Sequence, residues 1–182
     1  MENIMIDLET FSTRKDAVVV SIGAVGFDLG VGKSLELGAP FHIGVSILDQ
    51  QKLGRVVDGS TLLWWLTQER AARESLGRRM AESAPLLQAL FSLDQYVRDA
   101  GAKVKVWAKG ANFDIALLES LFESVGMDKP WKYNHTRCTR SFDGFFTPED
   151  DPPHGVGHDA LFDARWQAQQ LQNLYVRMGW TT

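Results

Sequence analysis

The sequence predicts an α/β domain built around one mixed sheet. Three apolar stretches of strand character come first and strand-plus-helix units follow, an order of elements that lays helices against a sheet. No Pro/Gly/Ser-rich linker divides the chain, and 182 residues is the length of one domain with one sizeable core, so residues 1–182 read as a single unit. Composition agrees: 45% hydrophobic and 23% charged residues sit near the globular average and away from disordered, collagenous or disulfide-stapled chains.

Residues 3–9 alternate, with Ile4, Ile6 and Leu8 on one face and Met5, Asp7 and Glu9 on the other, the period of a strand whose apolar face looks inward. Residues 17–27, rich in Val and Ile and broken by Gly23 and Gly26, give a second strand, and residues 41–47, after the turn-prone Gly38-Ala-Pro40, a third. Short connections make these an antiparallel meander. Ser60 or Thr61 then caps a helix over residues 62–73, and Pro85 opens another through Leu86, Leu90, Leu93 and Val97. Val104, Val106 and Trp107 form a short buried strand. Asn112 is placed to cap the next helix, with Phe113, Leu117, Leu118, Leu121 and Phe122 apolar and Gly126 at its end. Residues 143–157, with three prolines and the acidic trio Glu149, Asp150 and Asp151, read as a mobile loop. A last helix over residues 159–177 buries Leu161, Ala164, Ala168, Leu171 and Tyr175.

Charge and cysteine content narrow the setting. Nineteen Lys and Arg against 23 Asp and Glu give a net charge of −4, which argues against gripping nucleic acid through a broad basic surface. The lone Cys138 cannot close an internal disulfide, so a reducing compartment suffices and cytoplasm is the expected location. The apolar runs, residues 17–20 among them, are far short of the roughly 18 residues a membrane span needs, and no basic segment precedes an apolar one at the start; neither export nor membrane insertion is expected.

Five residues carry the chemistry. Asp7 and Glu9, two apart on a strand, project from the same face within reach of one divalent cation; taken alone, Asp-x-Glu fits a solvated strand face equally well. Asp114 lies in a first helical turn, where an acid also suits the helix dipole, but it follows the carboxyl end of a strand, where ligand sites in α/β sheets gather. His158 closes the Pro/Gly loop, and Asp163 stands five residues later on the final helix. The order Asp-x-Glu, Asp, His-x4-Asp is far more specific than any single member.

That constellation, read as Asp7-Leu-Glu9-Thr10, Asn112-Phe-Asp114 and His158-Asp-Ala-Leu-Phe-Asp163, resembles the DEDDh 3′→5′ exonucleases of the DnaQ-like group. The stretches Thr61-Leu-Leu-Trp-Trp-Leu-Thr-Gln68 and Thr139-Arg140-Ser141 look like the branch containing phage and prophage DexA-type exonucleases and ribonuclease AS. Position 159 is Asp, so the third motif has the His and not the Tyr form, and Ser141 stands where the branch would have Thr, keeping the hydroxyl. The resemblance implies a ribonuclease H-like fold with a central mixed five-stranded sheet flanked by helices. It implies hydrolysis from the 3′ end of single-stranded DNA or RNA, DNA slightly favoured, with release of 5′-mononucleotides and a homodimer by analogy.

It further implies two Mg²⁺ or Mn²⁺ ions roughly 3.5 to 4 Å apart. One would be held by Asp7, Glu9 and Asp163, and a second would share Asp7, with Asp114 acting through water. His158 would be the general base, a role its near-neutral intrinsic pKa permits. Such a metal pair adds about four positive charges, which answers the charge objection. Leu8, Thr10, Phe11, Trp64, Trp65, Gln68, Asn112 and Arg140 are the expected substrate contacts, one of Trp64 and Trp65 stacking on the terminal base while the other packs in the core. Lys109, Lys132 and Arg137 are further candidates for flanking phosphates.

Two rivals stand beside this reading. Gly30-Val-Gly32-Lys33-Ser34 imitates the end of a phosphate-binding loop, but position 27 is Phe where that motif needs Gly, and Gly38 and Pro40 follow where it needs a helix. A nucleic-acid-binding module that kept only the fold is the other; the presence of all five functional side chains argues for an enzyme.

Overall fold

The computed structural model describes residues 1–182 except 153, 154, 156 and 182. Five strands form one sheet in the order β3-β2-β1-β4-β5: β1 (Asn3–Thr10), β2 (Val19–Phe27), β3 (Pro40–Gly44), β4 (Lys105–Ala108) and β5 (Thr136–Cys138). β1, β2 and β3 make the antiparallel meander, and β4 and β5 join β1 in parallel, which matches the expected mixed five-stranded sheet. Six helices accompany it among the described residues: α1 (Ile47–Lys52), α2 (Gly59–Thr67), α3 (Arg70–Ala81), α4 (Leu86–Asp99), α5 (Asp114–Ser124) and α6 (Ala160–Arg177).

The two faces of β1 have different neighbours. Ile4, Ile6 and Leu8 pack with residues of α4 and α5 in the main core, as their alternation predicts. Met5 joins Val25, Phe27, Trp107 and the Ala164, Ala168, Leu171 and Leu174 side of α6 in a second cluster. Asp7 and Glu9 therefore do not look out on solvent: their face is roofed by α6. Small residues let this helix come close, since a Cβ built on Gly23 would lie 2.1 Å from the Ala160 carbonyl carbon and 2.2 Å from the Leu161 nitrogen. Gly23 pairs directly with Asp7, so the tight contact sits beside the carboxylates. Ala160 and Leu174 are buried where the sequence pointed to Leu161 and Tyr175, which are only partly covered.

Other differences have local causes. Ile47 begins α1 and does not end a strand, because β3 stops at Gly44 and the Ser46 hydroxyl accepts the Asp49 amide at 3.3 Å, a side-chain cap. The helix expected over residues 62–73 is two helices. Asp58, not Ser60 or Thr61, caps α2 through the Ser60 amide at 2.7 Å, and Gln68 and Glu69 take extended ψ angles that break the run before α3. Asn112 is exposed and does not cap α5, which starts at Asp114 behind Phe113 with no side-chain cap. The Gly30 to Ser34 segment is a turn with Gly30 and Gly32 at positive φ and no helix after it.

The 143–157 stretch is pinned along its first part. Arg177 holds the buried Asp150 through two contacts of 2.9 and 2.8 Å, Gln170 donates to Asp151 at 2.7 Å, and Trp166 donates to the Pro152 carbonyl at 3.3 Å. The expected mobility otherwise concerns a segment that includes residues 153, 154 and 156, outside the described residues. Among the described residues no helix is long and apolar enough to cross a membrane.

Candidate active site

The carboxyl end of β1, the first turn of α5 and the first turn of α6 meet at one point. A break in register between Glu9 and Thr10, where the pairing jumps from Ser21 to Val19, is a bulge of the kind that re-aims side chains next to functional sites. Asp114, first residue of α5, is buried and accepts a hydrogen bond from the Leu8 backbone amide. Asp163 comes from α6, and its Oδ2 accepts the His158 amide at 2.9 Å. His158 itself has φ 61°, the one described non-glycine residue with positive φ. A bulky residue held there is a strained backbone of the sort found at functional sites. Candidate ligand atoms of Glu9, His158 and Asp163 all lie within 4.8 Å of one another.

The electrostatics follow from burial. Burial first, then the charges of Asp114 and Asp163, raise the Asp7 pKa well above the usual carboxylate range against the pull of Gln167 and Lys109. Glu9 is pushed up to about 9 by burial, then by Asp7, Asp163, Asp159 and Asp114. Asp114 rises to about 7, again through burial, opposed by its own and the Leu8 backbone amides and by Arg140. Asp163 is raised by burial against its bond to His158. Four acids facing one another without a matching cation are costly, and a hard divalent cation with oxygen ligands removes the cost. The residues fit such an ion: the donors are carboxylate oxygens with one imidazole alongside, the set that suits Mg²⁺ or Mn²⁺.

Next to the acids opens a pocket of about 390 Å³, lined among others by Leu8, Glu9, Thr10, Trp64, Trp65 and Phe113. The structure separates the two tryptophans. Trp65 is 4% exposed and donates its Nε1 to the Thr10 carbonyl at 3.0 Å, whereas Trp64 is 44% exposed. Trp64 stands edge-on to both Trp65 and His158, with centroids 5.1 and 5.0 Å away. Arg140 reaches the site, packing against Gly110 and acting on Asp114.

Other expected contacts lie elsewhere. Phe11 is core, packed with Val18, Val20, Trp65, Ala72 and Leu76. Gln68, past the end of α2, turns back to the Trp64 carbonyl at 3.0 Å and is not among the pocket's lining residues. Asn112 is exposed just before Asp114.

Sequence reasoning missed two groups. Gln167, one turn after Asp163 on α6, is buried and donates its Nε2 to Asp7 Oδ1 at 2.8 Å, while its Oε1 has no partner among the described residues. The four-residue spacing from Asp163 was the available signal, since it puts both on one helical face. Asp159 caps α6 by accepting the Phe162 amide at 3.0 Å and also takes a hydrogen bond from the Ser75 hydroxyl of α3. No sequence spacing links Ser75 to Asp159.

Comparison with known proteins bears on this site. The model of the Rv2179c-like 3′-5′ exoribonuclease domain matches residues 2–175. An exodeoxyribonuclease of Enterobacteria phage T4 is 24% identical over 131 residues, which are 69% of this chain and 57% of that protein. Among solved structures, E. coli exonuclease I in complex with a dT13 oligonucleotide superposes with a TM-score of 0.66 at 14% identity, over 97% of this chain and 42% of that one. Exonuclease X in complex with 5′ overhanging duplex DNA gives 0.57 at 16% identity, over 98% and 94%. The chain thus spans about half the length of the T4 relative and of exonuclease I, and the structural likenesses show the fold, that of the DnaQ-like exonucleases. With the match running through every strand and through all five residues gathered here, the chain belongs to the Rv2179c-like 3′-5′ exoribonuclease domain family of DEDDh-type exonucleases.

Proposed function

We propose that the chain is a metal-dependent exonuclease that removes nucleotides one at a time from the 3′ end of single-stranded nucleic acid. The observation that carries this reading is the convergence of Asp7, Glu9, Asp114, Asp163 and His158 from separate parts of the chain at one point, beside the pocket that Glu9 lines. Asp7, Glu9 and Asp163 would hold divalent cations, with Asp114 acting through bound water. When bound, such ions supply positive charge for the phosphate undergoing in-line displacement.

The chain's own groups do the rest. His158 takes a proton from the attacking water as the P–O3′ bond breaks, and the leaving O3′ takes a proton from solvent, which leaves a 3′-hydroxyl on the shortened strand and releases a 5′-mononucleotide. Trp64 offers an exposed ring beside His158 on which the terminal base stacks, and Thr10 lies where the terminal sugar would sit. Lys109, which acts on both Asp7 and Asp163, and Arg140 meet the negative phosphates at the site's edge.

Between the two sugars, the family match over residues 2–175 favours RNA and the T4 relative favours DNA. The test is gel-resolved degradation of matched 5′-labelled single-stranded RNA and DNA with Mg²⁺, Mn²⁺ or EDTA, alongside Asp7→Ala. A ladder shortening from the 3′ end, absent with EDTA and in the variant, is expected, and relative rates assign the sugar. Metal-dependent hydrolysis persisting in a folded Asp7→Ala protein removes the proposed site.

A further inference from the structure

At the opposite end of β1 from the carboxylates lies a second pocket of about 400 Å³, within the usual size of small-ligand sites. Asn3 lines it, six residues along the strand from Glu9, about 20 Å at the rise of a β-strand. It shares no lining residue with the pocket beside the carboxylates.

Trp107, Phe142 and Tyr175 give it an aromatic wall, with centroids 6.2 Å apart from Trp107 to Phe142 and 6.1 Å from Phe142 to Tyr175. Trp107 is 4% exposed and its indole nitrogen donates to Asn3 Oδ1 at 2.9 Å, so it backs the wall while the partly buried Phe142 and Tyr175 face the pocket. Lys105, Arg137 and Ser141 contribute polar groups. Arg137 Nη1 donates to the Asn134 and Thr136 carbonyls, both at 2.8 Å. Those bonds fix the guanidinium and leave its other nitrogens without a partner among the described residues. Neither Lys105 nor Arg137 has an ion pair there, although the chain carries four more acids than bases. Glu2, also in the lining, faces Lys33 at 3.4 Å.

Unpaired cations beside a cluster of aromatic rings are the chemistry that recognises a phosphate joined to a planar base. A fixed guanidinium suits phosphate oxygens, and aromatic side chains take a base regardless of its identity. We propose that this pocket binds a nucleotide unit, its base against Phe142 and Tyr175 and its phosphate on Arg137 and Lys105. The nucleotide is either a free 5′-mononucleotide or one unit of a longer strand. The assignment rests on the pocket's own groups and holds whether or not the carboxylate site hydrolyses nucleic acid.

Cys138 makes the test direct, because it lines this pocket and is the only cysteine in the chain. Reaction of its thiol with a chromogenic disulfide reagent is followed in EDTA, where no strand is cut, with 5′-AMP, adenosine, inorganic phosphate or a short oligoadenylate present. Nucleotide at about ten times its Kd is expected to slow labelling about tenfold, with adenosine and phosphate each far weaker at the same concentration. Protection by AMP alone identifies a free mononucleotide, and protection by the oligomer identifies a strand subsite. Arg137→Met and Lys105→Met should each weaken the protection without lowering Tm. The proposal is overturned if neither AMP nor the oligomer changes the Cys138 rate, if adenosine protects as well as AMP, or if both folded variants are protected like wild type.

Discussion

Glu9→Gln should stabilise the metal-free protein at neutral pH. Glu9 is 8% exposed, and burial followed by its acidic neighbours moves its pKa from 4.5 to about 9. Below pH 4.5 the folded and unfolded chains both hold the proton and the group is neutral in its effect. Above that, the unfolded chain releases the proton while the folded chain keeps it, so stability falls by up to about 1.4 kcal/mol per pH unit until the folded group titrates near 9. At pH 7, two and a half units above the unfolded value, the penalty is about 3 kcal/mol. Glutamine has the shape of the protonated acid and no proton to lose, so it removes the pH-dependent part. For a chain of this length that is a rise in Tm of about 6 to 12 °C. Calorimetry in EDTA from pH 5 to pH 8.5 checks it: the two curves should nearly meet at pH 5 and separate as pH rises. Adding Mn²⁺ should raise the Tm of wild type through binding to the folded state and that of the variant much less. A Glu9→Gln protein less stable than wild type at pH 7, or a gap that does not widen with pH, refutes the reasoning.

His158→Ala should lower turnover by about 10² to 10⁴, the range for a positioned base, while Mn²⁺ affinity by titration calorimetry changes far less; unaltered turnover across neutral pH rejects the role. Gln167→Leu removes the amide bond to Asp7 and should weaken Mn²⁺ binding about 10-fold or more, as loss of a ligand's hydrogen-bond partner does; an unchanged Kd excludes that support. Gly23→Ala forces α6 off the sheet by placing a methyl against the Ala160 and Leu161 backbone. It should cost at least about 1 to 3 kcal/mol and lower turnover as Asp163 moves, so a wild-type Tm and rate contradict the close packing. Trp64→Ala should act on KM by about 1 to 3 kcal/mol of lost stacking, whereas Trp65→Ala should act on stability by about 3 to 5 kcal/mol; the reverse pattern exchanges their roles.

What the sequence disclosed and what it hid divide along physical lines. Alternation over residues 3–9 located β1 and the side on which Asp7 and Glu9 project, because a strand's period is independent of what packs on it. It did not disclose that this side is roofed, since whether a helix covers a sheet face depends on Gly23 and on Ala160 and Ala164, small residues whose contact is tertiary. The Trp64 and Trp65 pair illustrates the same limit. Adjacent positions on a helix face different ways, and only the position of α2 against Thr10 shows that Trp65 is the buried one. Phe11 packs in the core for a related reason. Adjacency to Glu9 in sequence says little about adjacency in space once the register break has turned the chain there and Phe11 packs with Val18 and Val20. Gln68 was placed on a helical face that ends one residue before it.

The site's construction ties its chemistry to its stability. Asp163 and Asp159 ride on the first turn of α6, and Asp159 is bonded to Ser75 of α3, a helix that also meets β3 so closely that a Cβ on Gly44 would lie 2.0 Å from the Arg79 carbonyl oxygen. His158, one residue before Asp159, is thus held on one side by its amide bond to Asp163 and on the other by a residue anchored to α3. That double attachment keeps a histidine at φ 61°, a conformation costing about 1 to 3 kcal/mol. The strain and the repulsion among the buried acids have different remedies. Cations relieve the repulsion, whereas the backbone strain persists whether or not they bind. Glycine at position 158 would remove the imidazole and relieve the strain, and should therefore yield a protein more stable than His158→Ala, which keeps a Cβ at positive φ. If the two variants melt at the same temperature, the strain is absent and the attachment through Ser75 and Asp159 has no bearing on where the imidazole stands.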